Sequence, residues 1–115
     1  MAKAFQGTLE GIEFETGKAA IRKKSFKVLD KAFAILDQYK DVKIEISGHT
    51  DDRGDAEKNK KLSLERAEAV KKYLVDKGLA AERFNAVGYG PDKPIADNKT
   101  PKGQAKNRRI EFRLM

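Results

Sequence analysis

The sequence contains no cysteine. Structural disulfides, thiolate metal ligands and cysteine nucleophiles are therefore excluded. Only one histidine is present, so a zinc site, which usually takes several histidine or cysteine ligands, is not expected. Long apolar runs are missing as well. The longest one covers only Ala32 to Leu36, whereas a transmembrane helix needs roughly 20 apolar residues.

The first residues carry no signal for export or lipid attachment. They read Met1-Ala2-Lys3-Ala4-Phe5, with neither an apolar segment nor a cysteine to be lipidated. We therefore expect either a cytosolic protein or a domain of a longer exported protein.

Charged residues are abundant, at 37% of the chain against a typical value of about 25%. The net charge of +7 favours an anionic partner such as nucleic acid, anionic lipid or an acidic polymer. The distribution is uneven, because residues 99–115 contain six Lys or Arg and one acid, whereas residues 51–57 contain four acids and one Arg. A protein that only coated phosphates would not need that acidic segment.

Short strands and amphipathic helices alternate along the 115 residues, a length that suits a single domain. Alternation of apolar and polar residues predicts strands at 8–14, 42–47, 84–88 and 109–114. Apolar residues at helical spacing predict helices at 21–39 and 59–77. Residues 88–103 contain all three prolines and are predicted to form an ordered loop. The order β-α-β-α-β-β predicts an α+β fold, a two-layer α/β sandwich.

Arg66 interrupts the apolar side of the second predicted helix. On a helical wheel it falls inside the arc that Leu62, Val70 and Tyr73 define. Arginine is seldom fully buried without a partner. Two interpretations are open: the side chain extends past Leu62 to solvent, or it points into a cleft above the sheet and binds an anion there.

Asp51 lies just past the carboxyl end of the strand predicted at 42–47. Ligands of open α/β sheets bind outside the carboxyl ends of strands, where a carboxylate can hold a cation. The alternative is that Asp51 forms a turn or caps the following helix. With Arg66 it would form a pair that suits a zwitterion, since arginine binds a carboxylate bidentately and aspartate accepts from an ammonium.

No motif for catalysis or metal binding surrounds these residues. His49 and Asp51 could supply at most two metal ligands, and no second histidine completes a zinc site. No nucleophile-elbow motif is present. The acidic loop at 51–55 lacks the glutamate and the spacing of a calcium loop. The sequence therefore favours a protein that is not an enzyme and that needs no cofactor.

Two long patterns resemble the signature of OmpA-like domains. The first is Gly48-His49-Thr50-Asp51-x2-Gly54-x4-Asn59-x2-Leu62-Ser63-x2-Arg66-Ala67. The second includes Val87-Gly88-Tyr89-Gly90, Pro94, Asn98 and Asn107-Arg108-Arg109-Ile110-Glu111. The resemblance covers residues 8–115, so residues 1–7 are expected to form an N-terminal extension. It implies a mixed four-stranded sheet.

The resemblance also implies a peptidoglycan-binding domain like those of OmpA, Pal and MotB relatives. The expected ligand is the diaminopimelate-type residue of the stem peptide, held noncovalently by Asp51 and Arg66. Asn59 and Arg108 match positions that line the same cleft, and Thr50 is adjacent. The expected location is the periplasm, in an envelope or outer-membrane protein. A membrane would be reached only through a parent segment outside this chain, and the domain would be a monomer or a weak dimer.

Two positions depart from the family pattern. Glu15 replaces the usual aspartate after the first-strand phenylalanine, and its extra methylene is expected to shift that wall of the cleft. Gln104 stands where an arginine is usual, which removes one cation from the rim.

Two other functions remain open. A basic nucleic-acid-binding domain would explain the net charge of +7 and the basic cluster at 99–113. Nucleic-acid-binding sheets display aromatic residues among basic ones, but the outward positions of the last predicted strand are Arg109, Glu111 and Arg113, with no aromatic. A hydrolase acting on the cell wall would need a catalytic constellation that the sequence does not show.

Overall fold

Three helices and four strands make up the fold in a computed structural model, which describes residues 7–8 and 11–115. None of the helices in these two ranges combines the length and the apolar character needed to cross a membrane. The elements, in chain order, are β1 (Gly7–Thr8), α1 (Phe26–Gln38), β2 (Ile44–His49), α2 (Ala56–Asp76), β3 (Phe84–Gly90), α3 (Pro101–Asn107) and β4 (Arg109–Leu114).

The strands form one mixed sheet in the order β1-β4-β2-β3. β2 and β3 are parallel, whereas β4 runs antiparallel to both β2 and β1. Two residues of β1 are described, and β4, β2 and β3 form the body of the sheet in the described part of the chain. The predicted α+β class and mixed sheet are confirmed.

The core lies between this sheet and the two long helices, as a two-layer arrangement requires. Ile44 and Ile46 of β2 are fully buried. They belong to one apolar cluster with residues of both helices, including Leu29, Leu36, Val70 and Leu74. Gly48, the next residue of β2 on that face, is where α2 comes closest, because a Cβ there would overlap the carbonyl oxygen of Ser63. The absence of a side chain at Gly48 therefore lets α2 pack directly against the carboxyl end of β2.

The structure differs from the prediction at the first strand and at the start of the first helix, which were predicted at 8–14 and at residue 21. β1 ends at Thr8, residues 9–10 lie outside the described part, and Phe14 makes only an isolated bridge with Ile21. Gly7, predicted to belong to the extension, pairs with Phe112. The helix begins at Phe26 after a 3-10 turn at Lys23–Ser25. The reason is local: the Ser25 hydroxyl accepts from the Glu13 N–H at 2.7 Å, which holds residues 11–25 in a hairpin-like turn.

The structure contains a third helix, α3, that the predicted order β-α-β-α-β-β lacks. The prediction placed a loop at 88–103, whereas α3 begins at Pro101. Thr100 caps it, its hydroxyl accepting from the Gly103 N–H at 3.0 Å, and Pro101 opens its first turn. The second helix also begins earlier than predicted, at Ala56, because Asp55 caps it by accepting from the Glu57 N–H at 3.0 Å. β3 extends to Gly90, two residues beyond the predicted strand.

Candidate functional site

A cleft of about 830 Å³ opens where β2 ends. Its walls come from the loop after β2, the first turns of α2, the segment at 12–17 and the residues between α3 and β4. All five side chains that the sequence singled out line it: Thr50, Asp51, Asn59, Arg66 and Arg108. The fold therefore brings together residues that are far apart in the chain.

Asp51 supplies the carboxylate of the cleft. Its side chain is 7% exposed, and its Oδ2 accepts from Arg108 Nη1 at 2.7 Å. Arg53 reaches the same Oδ2 with Nε at 3.1 Å and Nη2 at 3.0 Å. Burial opposes ionisation, but these hydrogen bonds outweigh it and hold the pKa of Asp51 below its ordinary value of 3.8. The group is an anion at neutral pH.

Arg66 supplies a cation on the opposite wall. It projects from α2, its Nε donates to the Lys18 carbonyl at 2.9 Å, and its guanidinium lies 4.9 Å from the centre of the Phe14 ring. It is half-buried and lines the cleft, so it does not extend past Leu62 to bulk solvent. Burial, and then the charge of Arg108, lower the pKa of Arg66 below its ordinary value.

Thr50 and Asn59 shape the loop around Asp51. The Thr50 hydroxyl donates to the Asp51 carbonyl at 2.8 Å, and the Thr50 N–H donates to the Gly90 carbonyl at 3.0 Å. Asn59 Nδ2 donates to the Arg53 carbonyl at 2.6 Å. Asp51 Oδ1 accepts from the Arg53 N–H at 3.0 Å, closing a turn. These bonds fix where the Asp51 carboxylate points.

Arg108 is positioned by the residue before it. Asn107 is fully buried, and its Oδ1 accepts from the N–H groups of Ile95 at 2.7 Å and Ala96 at 3.0 Å. Its Nδ2 donates to the Ala96 carbonyl at 3.0 Å and to Asn98 Oδ1 at 2.6 Å. Asn107 thus fastens the end of α3 to the preceding loop, so that Arg108 projects toward Asp51.

Sequence reasoning missed three arginines of the cleft, Arg22, Arg53 and Arg109. Arg22 Nε donates to the Phe14 carbonyl at 2.9 Å, and its Nη2 lies 3.9 Å from Glu15 Oε2. The one available signal for Arg53 was its place two residues after an aspartate, where a side chain-to-backbone turn is common. Such a turn involves the backbone N–H of Arg53 and does not determine where its side chain lies. The spacing of the residues therefore could not predict the contact between the Arg53 guanidinium and Asp51.

The two residues that depart from the family pattern, Glu15 and Gln104, both lie outside the cleft lining. Glu15 faces Arg22 and does not belong to the cleft lining. Gln104 Nε2 donates to the Asn98 carbonyl at 2.8 Å, so it stabilises the loop before α3. Neither side chain contributes a charge to the cleft itself.

The His49 side chain is held by residues of the sheet, although His49 also lines the cleft. Its Nε2 pairs with Ser47 Oγ at 2.9 Å, and its ring stacks on Tyr89 with centres 5.4 Å apart. Ser47 and His49 alternate with Ile44 and Ile46 along β2, so these contacts place the ring on the face of the sheet opposite the apolar core. In residues 7–8 and 11–115, no three His, Asp or Glu side chains form a group that could hold a metal.

The cleft can therefore offer carboxylates and several guanidinium groups to a ligand. Of its two carboxylate residues, Glu13 is paired with Lys24 at 3.0 Å and half-exposed, whereas Asp51 is buried. Asp51 can accept from an ammonium, and Arg66 can donate two parallel hydrogen bonds to a carboxylate. The volume of the cleft, about 830 Å³, is within the range of ~300–1,000 Å³ that is common for pockets that bind small ligands.

The chain matches the sequence model of the OmpA family over residues 13–108. Outer membrane porin F of Pseudomonas fluorescens is 40% identical over 100 residues, which are 87% of this chain and 31% of that protein. Peptidoglycan-binding protein ArfA of Mycobacterium tuberculosis is 38% identical over 101 residues, which are 88% of this chain and 31% of that protein. The chain thus spans less than a third of the length of either relative.

The fold also matches a solved structure closely. The crystal structure of the peptidoglycan-associated lipoprotein from Burkholderia pseudomallei superposes with a TM-score of 0.79 and 29% sequence identity. The match covers 90% of this chain and 86% of that one.

Proposed function

Because this chain belongs to the OmpA family, we infer that its cleft binds peptidoglycan noncovalently and so anchors an envelope protein to the cell wall. Two of the similar proteins support this by their names, one a peptidoglycan-binding protein and the other a peptidoglycan-associated lipoprotein. The proposed ligand is the diaminopimelate-type residue of the stem peptide. The proposed location is the periplasm.

The observation that carries this proposal is the pairing of Asp51 and Arg66 across one cleft. Asp51 is a buried anion. Arg66 contacts a carbonyl oxygen and an aromatic ring, and it has no ion pair with any carboxylate that the structure describes. An amino-acid zwitterion complements both, with its carboxylate on Arg66 and its ammonium on Asp51. A diaminopimelate-type residue carries such a zwitterion at the end of its side chain.

Thr50, Asn59 and Arg108 have supporting roles in this proposal. Thr50 and Asn59 hold the loop through backbone carbonyls. Arg108 keeps Asp51 ionised through its 2.7 Å hydrogen bond. All three line the cleft, so a bound peptide would lie against them.

The test is binding of the purified chain to peptidoglycan sacculi and to free diaminopimelate. Asp51→Ala and Arg66→Ala should each weaken binding by about 2–5 kcal/mol, because each leaves a desolvated ligand charge without its partner. Arg66→Lys should also bind weakly, since lysine offers a point charge without the planar fork of arginine. Lys71→Ala and Lys99→Ala are the controls, both outside the cleft lining, and should bind like the parent.

The double variant Asp51→Ala/Arg66→Ala gives a second readout. Its loss of binding energy should be smaller than the sum of the two single losses, because both residues hold the same ligand. Circular dichroism and thermal melting establish that each variant is folded. Folded single variants that bind sacculi like the parent would place the binding surface elsewhere.

A further inference from the structure

Both oxygens of the Asp51 carboxylate are engaged. Oδ1 accepts from the backbone N–H of Arg53. Oδ2 accepts from the guanidinium groups of Arg53 and Arg108. Oδ2 thus carries three donors on its two lone pairs, whereas Oδ1 carries one. A ligand ammonium that binds Oδ2 has to displace one of these two guanidinium groups or compete with both.

Arg53 is the partner that can leave. Its side chain is 63% exposed, against 40% for Arg108, and exposed ion pairs are the weaker kind. Its contacts with Oδ2, at 3.0 and 3.1 Å, are also longer than the 2.7 Å contact of Arg108. The Arg53 backbone is held at both ends, its N–H by Asp51 and its carbonyl by Asn59. Only the side chain would have to move.

The cleft holds more positive charge than Asp51 can neutralise. Arg53 and Arg108 share this one carboxylate, and Arg66 forms no ion pair within the described part of the chain. The charge of Arg108 is felt at Arg66, where it helps to lower the pKa. Suppose that the ligand carboxylate binds Arg66 and the ligand ammonium replaces the Arg53 side chain at Asp51. Arg53 then has no anion to bind.

We propose that Arg53 releases Asp51 to the ligand ammonium and turns to bind a second carboxylate of the same ligand. The preferred ligand is then a peptide that carries a free carboxylate next to its zwitterionic diamino acid, rather than the diamino acid alone. Arg53 is the residue that distinguishes a free carboxylate from an amidated one. This inference rests on the proposed function, because it takes Asp51 and Arg66 as the groups that hold the zwitterion.

Two carboxylates of a stem peptide have this chemistry. One is the α-carboxylate of the glutamyl residue before the diamino acid, and the other is the terminal carboxylate of the alanyl residue after it. Both lie one residue away from the zwitterion, and either can be converted to a neutral amide of nearly the same shape. Matched acid and amide probes therefore separate the effect of charge from that of size.

The experiment is calorimetric titration of the full chain with five synthetic probes. They are diaminopimelate with its second amine acetylated and its second carboxylate amidated, γ-D-glutamyl-diaminopimelate amidated at that same carboxylate together with its isoglutaminyl form, and N-acetyl-diaminopimelyl-D-alanine together with its amide. Each acid then differs from its amide in one carboxylate only, and the blocked diaminopimelate carries the zwitterion alone. The parent should bind one of the two acids about fivefold to tenfold more tightly than the matching amide. Arg53→Gln should bring that ratio to about one. It should bind the blocked diaminopimelate more tightly than the parent does, by up to about fivefold, because one guanidinium fewer competes for Asp51 Oδ2.

Arg113→Gln is the matched control. Arg113 is 66% exposed and pairs with Glu45, a carboxylate as buried as Asp51, at 2.6 Å. Neither residue lines the cleft, so this variant should keep the acid-to-amide ratio of the parent.

The outcomes separate the two proposals. Equal binding of acids and amides by a parent that binds sacculi would overturn the role of Arg53 alone. An unchanged ratio in Arg53→Gln would do the same. A folded parent that binds neither sacculi nor any of the five probes would overturn the proposed function, and the role of Arg53 with it.

Discussion

Among single residues, His49 gives the sheet a sensitivity to pH. Its ring is 4% exposed, and its Nδ1 has no hydrogen-bond partner among the residues that the structure describes. Burial, and then the positive charges of Arg109 and Lys93, lower the pKa of His49 to about 4 from its ordinary 6.5. The unfolded chain therefore binds a proton at a higher pH than the folded one does.

The sign of the effect follows from linkage. Stability rises with pH wherever the unfolded state binds more protons, so the contribution of His49 is present above pH ~6.5 and is lost as the pH falls toward ~4. The full loss should be about 3 kcal/mol, from the shift in pKa. Urea unfolding at steps between pH 7 and 4 measures it. His49→Gln, which can still pair with Ser47, should show a smaller fall in the free energy of unfolding.

The comparison is clean because the chain has no other histidine. All other ionisable groups are the same in the parent and in His49→Gln, so the difference between the two curves reports His49. Curves for the parent and His49→Gln that run parallel from pH 7 to 4 would show that the ring titrates alike in the folded and unfolded states.

The sequence could place some residues of the cleft and not others, for a physical reason. Asp51 was placed by the strand that precedes it and Arg66 by helical periodicity, both regular geometries that sequence spacing reports. Arg53 lies in a loop whose shape is set by hydrogen bonds between side chains and backbone. No period describes such a loop, so the arginine that contacts Asp51 was not found.

Among the elements, α3 is connected to the loop before it by the buried side-chain amide of Asn107. The four side-chain hydrogen bonds of Asn107 connect it to residues 95–98. Asn107→Ala would leave several buried backbone groups without partners, and we expect it to lower the free energy of unfolding by about 2–4 kcal/mol. Chemical denaturation measures the loss.

Asn85→Ala is the control for this change. Asn85 is an exposed residue of β3, so the same substitution there should change the free energy of unfolding by less than about 0.5 kcal/mol. Asn107→Asp should be at least as destabilising as Asn107→Ala, because it places a charge in a fully buried site and sets an oxygen against the Ala96 carbonyl. An Asn107→Ala protein as stable as the parent would mean that water replaces the lost partners.

Elements with a regular pattern were predictable, and those held by distant contacts were not. β2 and β4 alternate apolar and polar residues, and α2 carries an apolar stripe, so their own sequences indicate them. α3 has no apolar stripe, and it forms because Thr100 caps it and Asn107 fastens it. Thr100-Pro101 is a start signal for a helix, and it was the one clue available. Ile21 fitted the helical spacing of α1 but pairs with Phe14 instead.

At the scale of the whole molecule, the net charge of +7 and the cleft should respond differently to salt. The Debye length falls from about 8 Å at physiological ionic strength to on the order of 4 Å at 0.5 M salt. A general attraction to anionic sacculi should fade over that range. Binding through the half-buried Arg66 and buried Asp51 should fade less.

Arg66→Lys serves as the comparison because it keeps the net charge. Its residual binding to sacculi should decline steeply between 0.05 and 0.5 M salt, about as general electrostatic attraction does. The parent should keep most of its advantage over the variant at the higher salt concentration. Complete loss of parent binding at 0.5 M salt would indicate surface charge as the source of affinity.

The position of β4 in the sheet has a consequence for the order of assembly. This last strand lies between β1 and β2, and its ladder pairs Ile44 with Leu114. During synthesis, β2, α2 and β3 emerge while the middle of the sheet is still missing, and closing so distant a pairing is slow. Arg108 directly precedes β4, so the cleft is completed only when the final strand docks. Residues 7–8 and 11–107 by themselves would therefore lack both Arg108 and the strand that holds it beside Asp51.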